Sequence, residues 1–137
     1  MAPYEHRAKY YETDQMGIIH HSNYIRWMEE ARLDFMDQLG WGYRAMEESG
    51  MMSPVLAVSC EYKGMVRFDD TVCITVKVKE YKGVRLTLSY RIIDKNSGEI
   101  RAVGESRHCF SNREGRPVSL KKYLPEFDAL LHSQSLV

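Results

Sequence analysis

The chain has little that would tie it to a metal, a disulfide network or a membrane. Its 137 residues include three cysteines, Cys60, Cys73 and Cys109, widely spaced and without a CxxC pair. An odd, scattered set of this kind suits reduced side chains packed as small hydrophobes, not a disulfide scaffold or a zinc site. The five histidines offer no H-E-x-x-H spacing, so neither a metal nor a resident cofactor is expected. Long apolar runs are missing too: no segment approaches the roughly 18 consecutive apolar residues of a membrane span. The start, M-A-P-Y-E-H-R-A-K-Y, has no apolar core of a secretory signal, so the expected location is the cytoplasm. No repeat, low-complexity tract or Pro/Ser-rich linker divides the sequence. Residues 1–137 are therefore expected to form one domain, long enough to bury roughly two thirds of its unfolded surface.

Net charge is absent as well, but the zero is a balance of unlike halves. Residues 1–62 carry 5 Lys+Arg against 10 Asp+Glu, residues 63–122 carry 14 against 7, and the remainder adds −2. A basic second half could attract a phosphate-rich ligand such as a nucleotide or coenzyme A, or could simply reflect solvated strand faces. No aromatic RNA-binding motif or zinc-finger spacing accompanies it, and no nucleic-acid partner is expected.

What is present is a change of period. Residues Tyr4–Tyr11 alternate as a strand. From about Asn23 to Leu39 there is no Gly or Pro, and Tyr24, Trp27, Met28, Ala31 and Phe35 fall on one helical face. Ile25, Leu33, Met36 and Leu39 widen that face, which predicts a helix buried on more than one side. Gly40 follows as a helix stop, and a shorter helix is expected over Tyr43–Glu48. After Pro54 the period becomes two. Val55–Tyr62 looks like a buried strand, and residues 72–78, 84–92 and about 100–110 read as three more. Lys82-Gly83 suits a tight hairpin. Leu120, Leu124, Phe127 and Leu131 suggest a short amphipathic helix near an end that frays.

An antiparallel sheet with one apolar face needs a cover, and helix 23–39 is the largest element available. The expected fold class is α+β, a curved sheet around one long helix. Strand Val84–Ile93 and the ends of the sheet are expected to offer edges that a partner could cover.

The densest chemistry lies in Y-E-T-D-Q-M-G-I-I-H-H-S-N-Y, residues 11–24. It sets an acid, Asp14, on a Gly-bearing loop before two histidines and the helix-capping types Ser22 and Asn23. An acid aimed at the unpaired N–H groups of a helix start suits acyl transfer. Thr13, Asp14, Gly17, Ile18, Ile19, His21, Asn23 and Tyr24, with Glu29 and Arg32 beyond them and R-F-D-D at Arg67–Asp70, resemble the hotdog-fold thioesterases of the 4-hydroxybenzoyl-CoA thioesterase type. That type includes the acyl-CoA thioesterases of the Tol–Pal cluster. The chain departs from the pattern at Gln15-Met16, where two small residues are usual, and at His20, where an aromatic residue is usual.

The resemblance implies a hotdog fold and an acyl-CoA hydrolase acting as a homodimer or a dimer of dimers (a homotetramer), with sites at the dimer interface. Coenzyme A would be part of the substrate and no further cofactor is implied. Asp14 would be the catalytic acid and the His21 backbone N–H the group that polarises the thioester carbonyl. The role of the His21 side chain varies within the type.

Physical chemistry agrees. A thiol of pKa about 8.5 leaves readily as thiolate, so one carboxylate and one helix start, with its partial positive charge near +0.5, could suffice. Asp14 could attack the carbonyl or deprotonate a water. Gly17 supplies a backbone conformation costly to other residues, and Ile18, Ile19, Asn23 and Tyr24 are candidate substrate-side residues. Glu29 is the rival carboxylate, or it pairs with Arg26 or Arg32 on its own helix. His20 is expected on the surface or in the pocket wall. Two other functions stay open: hydrolysis of acyl-carrier-protein thioesters, and non-catalytic binding of acyl-CoA or a nucleotide.

Overall fold

A computed structural model of the protein describes residues 1–135. In chain order these form β1 (Tyr4–Arg7), a 3-10 turn (Tyr10–Glu12), α1 (Ser22–Gln38), α2 (Tyr43–Ser49), β2 (Val55–Tyr62), β3 (Thr71–Tyr81), β4 (Arg85–Asp94), β5 (Ile100–Cys109), α3 (Leu120–Tyr123) and α4 (Pro125–Ser135). The five strands make one antiparallel sheet in the order β1-β3-β4-β5-β2. The class is α+β. The first strand is shorter than its alternation suggested, because residues 10–12 coil into the 3-10 turn.

The inward positions of the central strands are those given by the period of two. Val72, Ile74, Leu86, Leu88, Tyr90 and Ile92 are all buried. Lys82 donates to the Arg85 carbonyl at 2.9 Å and Gly83 sits at φ +81°, closing the expected hairpin. On α1 the buried side chains are Asn23, Tyr24, Trp27, Met28, Ala31, Phe35 and Met36. Met28 lies so close to β5 that a Cβ on Gly104 would stand 2.8 Å from its sulfur and 2.7 Å from the Ser59 carbonyl oxygen. Glycine is required there by space.

Three expectations need correction. Helix α1 is buried on one face, since Ile25 and Leu33 are exposed. It also shares the covering of the sheet with α3 and α4, whose Leu120, Phe127 and Leu131 are fully buried and which Tyr81 ties down through Asp128 at 2.5 Å. Strand β2 is not buried. It has β5 on one side and, among the described residues, no strand on the other, leaving Val55, Leu56, Val58 and Tyr62 exposed. Conversely β4, expected to offer an edge, is the middle strand; the edges are β1 and β2. Burial of both faces and edge exposure produce the same apolar run in sequence, so the run in β2 does not distinguish them. The fraying expected at the chain's end concerns in part residues 136–137, outside the described residues; up to Ser135 the end is helical.

Candidate active site

The Asp14 loop is built by short-range bonds. Asp14 N–H donates to the Ile18 carbonyl at 2.8 Å, and Gly17 N–H to the Asp14 carbonyl at 3.1 Å. Gly17 adopts φ +79°, a left-handed conformation that costs other residues free energy. The half-buried Asp14 accepts Met16 N–H on Oδ1 at 2.8 Å, an Asx turn. Thr13 bridges to Ile19, Ile18 bridges to Arg67, and Ile19 N–H donates to the Val66 carbonyl at 2.8 Å. The R-F-D-D segment in turn grips the end of β1. Ala8 N–H donates to the Asp70 carbonyl at 2.8 Å, and Arg7 pairs with Asp69 at 2.5 Å.

Helix α1 begins at Ser22, and neither Ser22 nor Asn23 caps it as their types suggested. His21 is the N-cap residue and makes no side-chain cap bond; the Ser22 N–H goes instead to His20 Nδ1 at 3.2 Å, which also lies 2.9 Å from the Ser22 hydroxyl. His20 thus has a structural task beyond surface or wall. His21 is exposed, its ring stacked on His20 at 4.2 Å. Its carbonyl accepts the Tyr62 hydroxyl at 3.1 Å, while its own N–H makes no hydrogen bond among the described residues. Asn23 and Tyr24 are buried. Asn23 Nδ2 donates to the Glu12 carbonyl at 2.8 Å, and the Tyr24 hydroxyl accepts Val66 N–H at 3.3 Å.

The residue that joins loop to helix is Glu12, which the sequence did not single out. Its carboxylate is buried and accepts Lys9 N–H at 2.7 Å, Trp27 Nε1–H at 2.7 Å and His6 Nε2 at 2.9 Å. Its carbonyl takes His20 N–H at 2.9 Å as well as Asn23. Burial pushes its pKa up, but the bonds from His6, Trp27 and Lys9 outweigh that and hold it below the ordinary glutamate value. One signal was available: an indole N–H on a buried helix face needs an acceptor. Glu29, the rival acid, is half exposed and pairs with Arg32.

A second feature joins β4 and β5. Tyr90, Ser106 and His108 form a buried chain, with Tyr90 Oη to Ser106 Oγ at 2.6 Å and Ser106 Oγ to His108 Nε2 at 2.7 Å. Burial pushes the His108 pKa down to about 4. A cavity of about 520 Å³ lies beside the later turns of α1, lined by Arg32, Leu33 and Met36 among others.

A family model described as the thioesterase-like superfamily matches residues 9–131. The chain belongs to that superfamily, and with it to the hydrolases. It is 32% identical over 124 residues to a Bacillus subtilis protein provisionally named an acyl-CoA thioesterase, covering 90% of this chain and 89% of that one. A DHNA-CoA thioesterase from Staphylococcus aureus has a similar structure, with a TM-score of 0.91, 32% identity and coverage of 98% and 90%. A protein of Aquifex aeolicus superposes with a TM-score of 0.83 at 34% identity, over 90% of this chain and 96% of that one. The solved relatives bear out the hotdog architecture that the motif implied. Among the described residues no helix is long and apolar enough to cross a membrane.

Proposed function

We propose that the protein hydrolyses acyl-CoA thioesters to the free acid and coenzyme A, with Asp14 as nucleophile or general base and the His21 backbone N–H as oxyanion donor. The observation that carries this is the junction at Glu12. One buried residue ties the segment before the Asp14 loop to the start of α1, where the His21 N–H makes no hydrogen bond among the described residues. An amide of that kind, backed by the helix dipole, stabilises negative charge as it develops on a carbonyl oxygen. Gly17 fixes the loop, while Ile18, Ile19, Asn23 and Tyr24 form its supporting wall and the side that faces substrate. Coenzyme A enters as part of the substrate and no other cofactor is required.

Within the superfamily we place the chain with the 4-hydroxybenzoyl-CoA type, on the strength of the motif. The working form is a homodimer or a homotetramer in the cytoplasm, supported by the uncovered edge of β2 and the exposed Ile25 and Leu33.

The test is release of thiol from a panel of acyl-CoA thioesters and matched carrier-protein thioesters. Asp14→Asn is expected to lower turnover by roughly a hundredfold or more while leaving the circular dichroism spectrum unchanged. A folded Asp14→Asn protein with parental turnover overturns the assignment. Preference for the carrier-protein forms moves the substrate class, and binding without thiol release removes catalysis.

A further inference from the structure

Two tyrosines end their strands in the same way. Tyr62 is the last residue of β2 and Tyr81 the last of β3, and Lys-Gly follows each. Each hydroxyl reaches from the end of its strand to a helix. Tyr81 donates to Asp128 on α4, and Tyr62 donates to the His21 carbonyl at the start of α1, at 3.1 Å. The first bond ties down a helix that carries none of the proposed site. The second falls on the residue whose N–H is the proposed oxyanion donor, and the chemistry proposed above makes no use of it.

The N–H of His21 belongs to the His20–His21 peptide, whose carbonyl accepts Asn23 N–H at 3.0 Å. The next peptide carries the His21 carbonyl, which accepts Tyr24 N–H at 3.3 Å. Bonds of this kind lie within the turn and move with it. They set its shape, not the direction in which it faces. That direction comes from groups outside the helix. On one side the Glu12 carbonyl accepts His20 N–H at 2.9 Å and Asn23 Nδ2–H at 2.8 Å. From the sheet, Tyr62 supplies the bond that falls on the backbone of residue 21 itself. Tyr24 also reaches outward, but through its side chain, whose hydroxyl accepts Val66 N–H. A turn held by Glu12 alone can tilt about that hold, and a donor from β2 opposes the tilt. The His21 side chain makes no cap bond that could replace it.

The Tyr62 ring is itself held in place. It meets Tyr24 edge-on with centroids 5.0 Å apart and His21 edge-on at 6.2 Å, an arrangement that favours a fixed ring. Burial, and then the neighbouring Cys60, push its pKa above the ordinary tyrosine value. The hydroxyl therefore keeps its proton, and stays a donor, throughout the neutral range.

We infer that Tyr62 is a positioning residue for the thioester hydrolysis: by holding the His21 carbonyl, its hydroxyl aims the His21 N–H at the oxygen on which charge develops. The inference rests on the hydrolysis proposed above. Its contribution grows as the carbonyl oxygen gains charge, so it belongs to kcat and not to substrate binding. Removing an oxyanion donor costs about a hundredfold to a thousandfold in kcat. Loosening its aim costs a part of that.

The test compares Tyr62→Phe with Tyr81→Phe, each of which removes one oxygen and keeps the ring. Turnover is followed with whichever acyl-CoA of the panel above the parent hydrolyses fastest. Tyr62→Phe is expected to lower kcat by about tenfold, with KM within about twofold of the parent. Tyr81→Phe loses a more buried bond that ends on a carboxylate. It is expected to lose more stability in urea than Tyr62→Phe and yet to keep kcat within about twofold of the parent. Parental kcat in Tyr62→Phe overturns the inference, as does a loss carried by KM alone. An equal fall of kcat in Tyr81→Phe overturns it too, since the effect is then a general loosening. A second readout needs no substrate. In 15N-labelled protein, Tyr62→Phe is expected to displace the amide signals of His21 and Ser22, which flank the His21 Cα, and Tyr81→Phe to leave them in place. If Asp14→Asn keeps parental turnover, it is the hydrolytic assignment that fails. The spectra then still decide the hold on residue 21: displaced signals support it, and unchanged ones overturn it.

Discussion

Near its start α1 is held to Glu12 by hydrogen bonds from Asn23 and Trp27; near its other end it borders a 520 Å³ cavity with a hydroxyl in the wall that is unbonded among the described residues. The first arrangement suits chemistry that requires fixed positions, since an acid and an oxyanion donor displaced by an ångström lose much of their effect. The second suits accommodation, since thioethers and an unfilled polar position cost little to rearrange around a guest. One helix thus serves both a rigid and an adaptable region, and each can be broken separately.

The rigid end should break hardest at Glu12. Leucine has nearly the same volume but accepts nothing from His6, Lys9 N–H and Trp27 Nε1–H. Glu12→Leu is expected to cost about 3–5 kcal/mol in urea denaturation, and in the protein that remains folded kcat should fall more than KM rises. Glu12→Gln keeps an acceptor oxygen and should recover part of both losses. Stability of the leucine variant within about 1 kcal/mol of the parent would show that the junction is not what holds the loop.

The buried chain on β4 and β5 should instead reveal itself through pH. Folded His108 accepts a proton only near pH 4, against an ordinary 6.5, because burial disfavours its charged form. Between those values the unfolded chain binds more protons. The associated stability is therefore complete above about pH 6.5, declines as the pH falls towards 4, and levels off below. At about 1.4 kcal/mol per pH unit, the drop amounts to roughly 3 kcal/mol. His108→Gln, which keeps a partner for Ser106 without titrating, should flatten that part of the curve. An unchanged slope between pH 6.5 and 4 would assign the loss to other groups.

Much of this division was legible in sequence, for reasons that differ by element. Val72, Ile74, Leu86, Leu88, Tyr90 and Ile92 declared their side of the sheet because a period of two allows only one inward set. The roles given to Asp14 and His21 rest on the proposal above, but the loop that carries Asp14 and Gly17 and leads to the helix start was legible from its turn residues and the change of period. Glu12 was not, since a buried carboxylate looks like any surface glutamate until its three donors converge from β1, the turn and α1. Nor was the exposure of β2, because an uncovered apolar edge and a strand buried in its own chain use the same apolar residues. The cavity lay furthest from view: its walls come from residues 32–54, 110, 113 and 127, which only the tertiary fold assembles.

The finest distinction uses two glycines in nearly the same conformation. Gly17 has φ +79° and Gly83 φ +81°, and a Cβ on either meets no atom within 4 Å. Alanine at either position therefore costs only its left-handed backbone, about 1 kcal/mol, and the two variants should denature alike. Their turnover should not match. Gly83 closes the β3–β4 hairpin, far along the chain from the acid loop, whereas Gly17 N–H bonds the Asp14 carbonyl and shapes the turn on which the carboxylate sits. Gly17→Ala is expected to lower kcat by about tenfold, in line with a modest displacement of a positioned group, and Gly83→Ala to stay within about twofold of the parent. Equal turnover in two equally destabilised proteins would mean that the loop tolerates movement, and the contrast between a fixed and a yielding end of α1 would lose its functional meaning.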